Sequence, residues 1–364
     1  MSASPDPVEG ISQRLDTFVS AQRAHAVPLG PEAALLVEAA ASAVSGGKRL
    51  RGRFCIAGWR AVEEASRSAS APPQSVVTSA AALEVFHAAA LVHDDVIDNS
   101  DTRRGRPAAH RALEGSHRDA RWAGDAAAFG RSGAILLGDL LVAWSADLFE
   151  EGLATATPAV AATARSEYST MRREVTIGQF LDIAEESAFA TEPDARHAER
   201  ALRVASLKSA RYSIQQPLGI GAALAGADAA QAAALAAFGH PVGMAFQLRD
   251  DVLGVFGDEK ETGKPAGDDL REGKRTVLIA YAREALPPPA RRTVDELLGD
   301  PELEADQIAS LQQTIVDTGA LERVERLIAD YAREAERSLS GARLGNAAVG
   351  ELRELARAAT VRIT

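Results

Sequence analysis

Two clusters of carboxylates are the residues of this sequence with the clearest potential for chemistry. The first is the run Asp94-Asp95-Val96-Ile97-Asp98, which follows an almost wholly apolar stretch. On a helix, Asp94 and Asp98 share a face, and Asp95 and Asp98 lie three residues apart. Crowded carboxylates beside a buried segment are unfavourable unless a cation neutralises them. Mg²⁺ meets this need, because it binds one or two protein carboxylates together with substrate phosphates.

The second cluster is Asp250-Asp251, which ends the run Phe246-Gln247-Leu248-Arg249. Either acidic pair alone is typical of a solvated helix end or a helix cap. Two pairs, each inside an apolar helix, favour a metal site instead, because helices of one bundle can present side chains to a shared cavity.

Basic residues beside these carboxylates could hold phosphate groups. Lys48 and Arg51 lie three residues apart at the start of a helical segment, and Arg103-Arg104 follow the first acidic cluster. Each basic cluster alone is typical of a solvated surface. A metal-bridged diphosphate, however, needs carboxylates on one side of the cation and Lys or Arg donors on the remaining oxygens. The other candidates are Lys208-Ser209, Lys264 and Lys274.

The elements that must position these residues are helices. Ala, Leu, Glu and Arg dominate the sequence, and no alternating strand of useful length is present. Helical periods predict helices over 76–98, 133–151, 166–186 and 243–256. We therefore expect an all-α, single-domain helical bundle around a central cavity. Residues 1–10 are predicted to be disordered, and residues 11–364 to form the one domain.

Composition excludes several other classes of protein. The 364 residues contain 40 Lys and Arg against 51 Asp and Glu, so the net charge is −11. This charge argues against general attraction to nucleic acid or anionic lipid. The single cysteine, Cys55, excludes a disulfide framework and a cysteine-rich zinc site. Because no apolar run approaches the roughly 18 residues that a membrane span needs, we expect a cytoplasmic protein without one.

In combination, these motifs resemble the trans-isoprenyl diphosphate synthases, the polyprenyl synthetase family, in order from about residue 46 to residue 276. The family's first aspartate motif, DDxxD, matches Asp94 to Asp98 and is followed by the paired arginines. Its second motif, FQxxDDxxD, matches Phe246-Gln247 and Asp250-Asp251. GGKxxR matches Gly46-Gly47-Lys48 and Arg51, the Lys-Thr pair reads Lys208-Ser209, and GQxxD matches the run from Gly178 to Asp182.

The resemblance implies a Mg²⁺-dependent prenyltransferase, with about three Mg²⁺ per active site in related enzymes. An allylic diphosphate loses its diphosphate, and isopentenyl diphosphate attacks the resulting cation to extend the chain by five carbons. Carried over by motif, the expected metal ligands are Asp94, Asp95, Asp98, Asp250 and Asp251. The expected catalytic residues are Asp94, Asp98, Arg103, Lys208 and Asp250. The allylic diphosphate would be held by Arg103, Lys208, Ser209, Gln247, Lys264 and Lys274, and isopentenyl diphosphate by Lys48, Arg51, His87 and Arg104.

The second motif departs from the family pattern at its third aspartate, which is replaced here by Gly254. The first aspartate of that motif is the main metal ligand in the family, so Asp250 would still serve. The change puts the outer hydration of that metal in doubt. Asp258, one helical turn further on, is a candidate replacement.

Residues before the first motif are expected to set the product length. In the family, bulky aromatic residues four or five positions before the first aspartate stop growth at fifteen carbons. Here those positions are Ala90 and Ala89, and the next bulky residue is Phe86, roughly 12 Å lower along the helix. Phe86 as the tunnel floor predicts a C20 product, geranylgeranyl diphosphate. If Phe86 packs in the core away from the tunnel, the product is longer.

Several alternatives stay open. The chain could be a farnesyl or longer-chain polyprenyl diphosphate synthase. A class I terpene cyclase shares the first aspartate motif but normally lacks GGKxxR and the paired arginines. A non-catalytic subunit of a heteromeric synthase tends to lose its aspartates, and this chain keeps Asp94, Asp98 and Asp250. The resemblance also implies a homodimer.

Overall fold

Helices make up nearly all of the chain that the computed structural model describes, namely residues 6–66, 71–257 and 267–360. The first ten are α1 (Pro7–Ala26), α2 (Pro31–Val44), α3 (Leu50–Ser66), α4 (Gln74–Ile97), α5 (Ala109–Asp119), α6 (Ala126–Leu153), α7 (Pro158–Ala188), α8 (His197–Val204), α9 (Gln216–Leu224) and α10 (Ala229–Phe256). A π-helical segment, Ala205–Gln215, connects α8 to α9. Later helices span Asp268–Arg271, Val277–Ala285, Pro288–Leu297, Ala305–Asp317, Ala320–Ser338 and Asn346–Thr360. The all-α prediction is confirmed.

The predicted helices coincide with observed ones but are shorter, because their caps lie further out. The side chain of Asp228 caps α10 in a capping box with Gln231, well before the predicted start at residue 243. Asp125 caps α6 by accepting hydrogen bonds from the backbone amides of Ala127 and Ala128. At the N-terminus Asp6 caps α1 before Pro7, so residues 7–10 are helical rather than disordered. Residues 1–5 lie outside the described residues.

The chain divides into two compact units. The first comprises Met1–Trp59 and Ala69–Ala161, and the second comprises Arg60–Ser68 and Ala162–Thr364. The prediction of a single domain over 11–364 stays a prediction. The first acidic cluster belongs to the first unit and the second acidic cluster to the second.

In the first unit, α4 and α6 pack closely because small residues repeat every seven positions along α6. These residues are Gly138, Ser145 and Gly152, and a seven-residue spacing keeps them on one face of the helix. A Cβ on Gly152 would lie 2.9 Å from the backbone nitrogen of Ser79. The Ser145 hydroxyl donates to the buried carbonyl of Ala82 at 2.6 Å. This seam fixes the helix that ends in the first acidic cluster.

In the second unit, α10 packs against the π-helical segment through glycines. A Cβ on Gly243 would lie 2.6 Å from the Cα of Ala210, and one on Gly239 would lie 2.7 Å from the Cα of Gln215. Real Cβ atoms do not approach so closely, so only glycine permits this contact. The glycines therefore allow α10, which carries the second acidic cluster, to pack directly against the π-helical segment that carries Lys208.

By length and composition, α4 and α6 could each cross a membrane. In α4 the most apolar window is 78% buried, as expected for a core helix, whereas in α6 only 28% of it is buried. Two such helices alone do not establish a membrane protein, and the expectation of no membrane span stays a prediction.

Candidate active site

The first acidic cluster closes the C-terminus of α4. Asp98 is the C-cap, and its amide donates to the carbonyl of Asp94 at 2.8 Å. The Asp94 side chain is 21% exposed, whereas the Asp95 side chain is only 3% exposed. The predicted pair Asp94 and Asp98 therefore sits on the more open side of the helix end, and Asp95 points inward.

A tight hairpin after α4 holds Arg103 against this cluster. Thr102–Arg103 and Arg106–Pro107 pair as two-residue antiparallel strands. The turn residues Arg104 and Gly105 have φ values of 54° and 72°, which is the type I′ geometry favoured in such hairpins. Arg103 donates through Nε to Asp95 at 2.8 Å and through Nη2 to the same oxygen. Its Nη2 is also 3.9 Å from Asp94.

Asp95 is thus the anchor of Arg103. Burial raises the pKa of the Asp95 carboxyl, the hydrogen bond from Arg103 opposes that rise, and Asp94 adds to it. Because Asp95 is buried and engaged by a guanidinium, it lies behind the partly exposed pair Asp94 and Asp98. Its assignment as a metal ligand stays a prediction.

An arginine-rich cluster surrounds His87 in the first unit. Burial lowers the pKa of the His87 imidazole well below its usual value, and Arg51, Arg104, Arg103 and Arg49 lower it further. The ring is therefore neutral at pH 7. Four guanidiniums acting on one neutral imidazole form an environment suited to a multiply charged anion. The predicted binders Arg51, His87 and Arg104 are brought together here.

The loop before α3 is shaped to admit Arg104. Gly47 has a φ of 88°, and a Cβ there would lie 3.1 Å from Nη1 of Arg104. Glycine thus permits the left-handed backbone conformation and leaves room for the Arg104 guanidinium. Lys48, the other predicted binder in this loop, is exposed.

Sequence reasoning missed Arg49 in this cluster. Arg49 adopts a left-handed φ of 51° and is 7% exposed, with Nη1 donating to the carbonyl of Val44 at 2.9 Å. Glu84, also buried, accepts from the Gly52 amide at 2.8 Å and is the acidic neighbour of Arg49 and Arg104. Burial and a left-handed conformation at a single arginine produce no periodic pattern of residue types. The sequence therefore did not distinguish Arg49 from the other basic residues.

Replacing His87 tests its predicted role in binding isopentenyl diphosphate. We expect His87→Phe to raise KM for isopentenyl diphosphate about tenfold or more, because a hydrogen bond to a charged group contributes about 1.5–3 kcal/mol. His87→Gln keeps a neutral polar group and should stay close to the wild type. Steady-state kinetics at pH 7.5 measure both.

The lowered pKa of His87 also predicts a pH dependence of stability. The unfolded ring takes up a proton near its usual pKa of 6.5, whereas the folded ring does so only at lower pH. Wild-type stability should therefore fall relative to His87→Gln as the pH drops below about 6.5. Urea unfolding at pH 7.5 and 5.5 measures this; an equal change in both proteins would contradict it.

The second acidic cluster lies near the C-terminal end of α10. Asp250 is exposed, whereas Asp251 is 7% exposed and accepts from the Gln247 amide at 2.7 Å. Burial raises the pKa of Asp251 well above its usual value, and the nearby carboxylates of Asp269, Asp250 and Asp182 raise it further. The predicted residues Gln247, Asp250 and Asp251 are thus joined by two carboxylates from other elements.

Lys208 reaches this cluster from the π-helical segment. Its Nζ lies 2.5 Å from the carboxylate of Asp182 on α7. Gly178, one turn before Asp182, allows this approach, because a Cβ there would lie 2.5 Å from the backbone nitrogen of Lys208. π-helical turns are frequent at functional sites. Ser209, the next residue, is 8% exposed, and its substrate role stays a prediction.

Lys274 approaches from the segment after α10. Its Nζ is 2.5 Å from Glu272 and 3.7 Å from Asp269. The predicted lysines Lys208 and Lys274 therefore both lie beside carboxylates in the second unit. Lys264 and Asp258 lie outside the described residues, so their predicted roles are untested.

The donor set of the second unit fits Mg²⁺ bound jointly with a diphosphate. Within residues 6–66, 71–257 and 267–360, no three His, Cys, Asp or Glu side chains form a set that could hold a metal alone. Mg²⁺ keeps several non-protein ligands and commonly takes substrate phosphates as part of its shell. Burial raises the pKa of Asp251, the carboxylates of Asp269, Asp250 and Asp182 raise it further, and a bound divalent cation would favour the charged form of the carboxyl.

The residues expected to set product length lie on α4. Phe86 is 6% exposed and Ala89 is fully buried, whereas Ala90 is partly exposed. Because Phe86, Ala90 and Asp94 are spaced four apart, they follow one stripe of the helix. Ala90 and Phe86 therefore lie on the same side of α4 as Asp94, whereas Ala89 does not, and the role of all three in product length stays a prediction.

Comparisons with known proteins agree with the geometry. Over the whole of both chains, this protein resembles the crystal structure of geranylgeranyl pyrophosphate synthase from Corynebacterium glutamicum complexed with isoprenyl diphosphate and magnesium, with a TM-score of 0.91 and 38% identity. It is 33% identical over 300 residues to geranylfarnesyl diphosphate synthase of Aeropyrum pernix, covering 81% of this chain and 84% of that one. It is 32% identical over 352 residues to heptaprenyl diphosphate synthase component 2 of Geobacillus stearothermophilus, covering 96% and 94%.

These matches confirm the predicted family and agree with the predicted all-α fold. The family model described as polyprenyl synthetase spans residues 33–315 of this chain, which include both acidic clusters and the basic residues beside them. The chain belongs to the polyprenyl synthetase family of trans-prenyltransferases.

Proposed function

We propose that this protein condenses isopentenyl diphosphate with an allylic diphosphate, with Mg²⁺ as cofactor, to give an all-trans prenyl diphosphate and free diphosphate. The observation that carries the proposal is that the chain has two clusters of different composition, each suited to a phosphate group. One is the arginine-rich cluster around neutral His87, and the other combines carboxylates with Lys208 and Lys274. A condensation of two diphosphates needs both.

The residues of each site take distinct parts in this reaction. Arg51, His87 and Arg104 bind and orient isopentenyl diphosphate without metal. Arg103 and Lys208 neutralise charge on the diphosphate that departs from the allylic carbon. Mg²⁺, when bound, would supply Lewis-acid stabilisation of the leaving group, and its proposed ligands are Asp94 and Asp98 of the first unit and Asp250 of the second unit. About three ions per site is part of this proposal.

Breaking the allylic carbon–oxygen bond leaves a carbocation that the double bond of isopentenyl diphosphate attacks. A proton is then lost, and the product is five carbons longer. The protein's contribution is to hold the two diphosphates and to stabilise charge where it develops.

Geranylgeranyl diphosphate, C20, is the proposed product. The structural relative from Corynebacterium glutamicum bears this name, and small Ala90 with bulky Phe86 below it fits a chain longer than C15. The names of other relatives extend to geranylfarnesyl and heptaprenyl products, so product length needs a direct test.

We expect Phe86→Ala to shift the main product beyond C20, because the shortened side chain opens the floor of the tunnel. Ala90→Phe should shift it to C15. Chromatography of the dephosphorylated products measures both. Ala89→Phe is the matched control: Ala89 is fully buried, so this change should destabilise the fold by about 1–3 kcal/mol without a defined change in length. An unchanged distribution for folded Phe86→Ala would eliminate the floor hypothesis.

A homodimer is also proposed, with α6 at its interface. Ile135 and Leu136 on α6 are 47% and 60% exposed, and only 28% of the most apolar window of this helix is buried within one chain. Burial of such a surface stabilises association. We also propose a cytoplasmic location. The one cysteine, Cys55, is a free and buried thiol, as is usual in a reducing compartment, and burial raises its pKa to about 12.

Replacing Leu136 by Glu should halve the mass measured by light scattering, because a charge would have to be buried at the interface. Val316→Glu is the matched control, since Val316 is 45% exposed on another helix. A dimer that survives Leu136→Glu, together with a folded chain, would place the interface elsewhere.

A second candidate is a non-catalytic subunit of a heteromeric synthase, suggested by the relative named component 2. Calorimetry with single substrates tests the main proposal against it and against a cyclase. Isopentenyl diphosphate should bind without Mg²⁺ and lose affinity in Arg51→Ala. A non-reactive thiolodiphosphate analogue of the allylic substrate should need Mg²⁺. If isopentenyl diphosphate does not bind, the two-site proposal fails.

A further inference from the structure

The space beside Gly254 of α10 is occupied by the carboxylate of Asp269. A Cβ on Gly254 would overlap Oδ2 of Asp269 and lie 2.9 Å from its Oδ1. Gly254 lies inside a helix, where its backbone conformation suits any residue. The glycine is therefore explained by the space that the Asp269 side chain occupies.

The face of α10 that receives Asp269 is the one that carries Asp250. Asp250 and position 254 are four residues apart, so their side chains follow the same stripe of the helix. Asp269 also lies close enough to Asp251 to be the first of the carboxylates that raise its pKa. Asp250, Asp251 and Asp269 thus bring together three carboxylates from two segments of the chain. The family's second motif would supply three carboxylates from one helix.

The position of Asp269 is fixed by its own segment. It lies in the short helix Asp268–Arg271, and its side chain is 15% exposed. Its carbonyl accepts from the amide of Lys274 at 3.1 Å, and its carboxylate is 3.7 Å from the Nζ of that lysine. The carboxylate is therefore held beside α10 by the same turn that presents Lys274.

We propose that Asp269 supplies the metal-binding carboxylate that the third aspartate of the second motif would supply. The absence of a side chain at Gly254 leaves the space that this carboxylate occupies. The inference rests on the proposed function. Metal binding at the second cluster is then tied to the segment 267–274, so one turn positions both a metal-binding oxygen and the ammonium of Lys274.

Calorimetric titration of Mg²⁺ in the presence of inorganic diphosphate tests this without turnover. Asp269→Asn should weaken Mg²⁺ binding about 10- to 100-fold, the loss found when metal-orienting groups are removed. Gly254→Ala should weaken it as well, because the added Cβ displaces the Asp269 carboxylate. Asp268→Asn, one residue away, is the matched control and should bind as the wild type does.

Returning the carboxylate to α10 provides a rescue. Gly254→Asp combined with Asp269→Gly should recover most of the Mg²⁺ affinity that Asp269→Asn loses, which a merely structural role for Asp269 would not do. Wild-type affinity in Asp269→Asn would overturn the inference. So would a loss confined to Asp258→Asn, the other candidate replacement. If the wild type itself binds no Mg²⁺ with diphosphate, the proposed function fails instead.

Discussion

Replacing Asp94 by Asn is expected to lower kcat by about 10²- to 10³-fold, the effect of removing one group that stabilises developing charge. Asn keeps the size of the side chain but removes a negative charge from the open side of the α4 terminus. Asp94 is only 3.9 Å from the Arg103 guanidinium, so the change also alters the balance between carboxylate and arginine at the leaving diphosphate. Rapid-quench or steady-state kinetics at saturating Mg²⁺ measure the loss.

KM for isopentenyl diphosphate should change little in Asp94→Asn, because its proposed binders Arg51, His87 and Arg104 are unchanged. Asp119→Asn, an exposed aspartate at the end of α5, is the matched control and should retain wild-type kcat. A kcat within a factor of about two of the wild type in Asp94→Asn would contradict the assignment of this cluster to the departing diphosphate.

Gly178→Ala is expected to lower kcat by about 10²-fold, although glycine has no side chain that could contact a substrate. The added Cβ would lie 2.5 Å from the nitrogen and 2.8 Å from the Cα of Lys208, so the π-helical segment must shift. A displacement of roughly 1 Å in a positioning element can cost 10²-fold in rate. Lys208→Ala should give a loss of similar size, because both changes take the ammonium away from the site.

Gly350→Ala is the matched control for Gly178→Ala. Gly350 is also helical, but a Cβ there would meet no atom within 4 Å. It should leave kcat unchanged and raise stability by about 0.5–1 kcal/mol, because alanine loses less backbone entropy in a helix. If Gly178→Ala instead keeps full activity, Lys208 does not depend on the close approach of the two helices.

The sequence predicted those parts of the site that depend on local spacing. Asp94 and Asp98 four apart, Gln247 and Asp251 four apart, and the apolar stretches around them specify their own helices and faces. The predicted helices began too late: α6 begins directly after its cap Asp125, and α10 directly after its cap Asp228.

The parts that escaped prediction depend on contacts between distant segments. Lys208 meets Asp182 only because Gly178 lets two helices approach, and Asp269 fills the space at Gly254 from fifteen positions away. The hairpin that carries Arg103 has strands of two residues, too short to show alternation. Its turn places Arg104 in a left-handed conformation, which residue type alone does not signal.

Incubation of the purified chain with Mg²⁺, isopentenyl diphosphate and each allylic starter tests the central claim most directly. The dimethylallyl, C10 and C15 diphosphates serve as starters, and product lengths are resolved by chromatography. Condensation by this chain alone, with C20 as the dominant product, is the predicted result. The absence of condensation with every starter, from a folded protein, would contradict it.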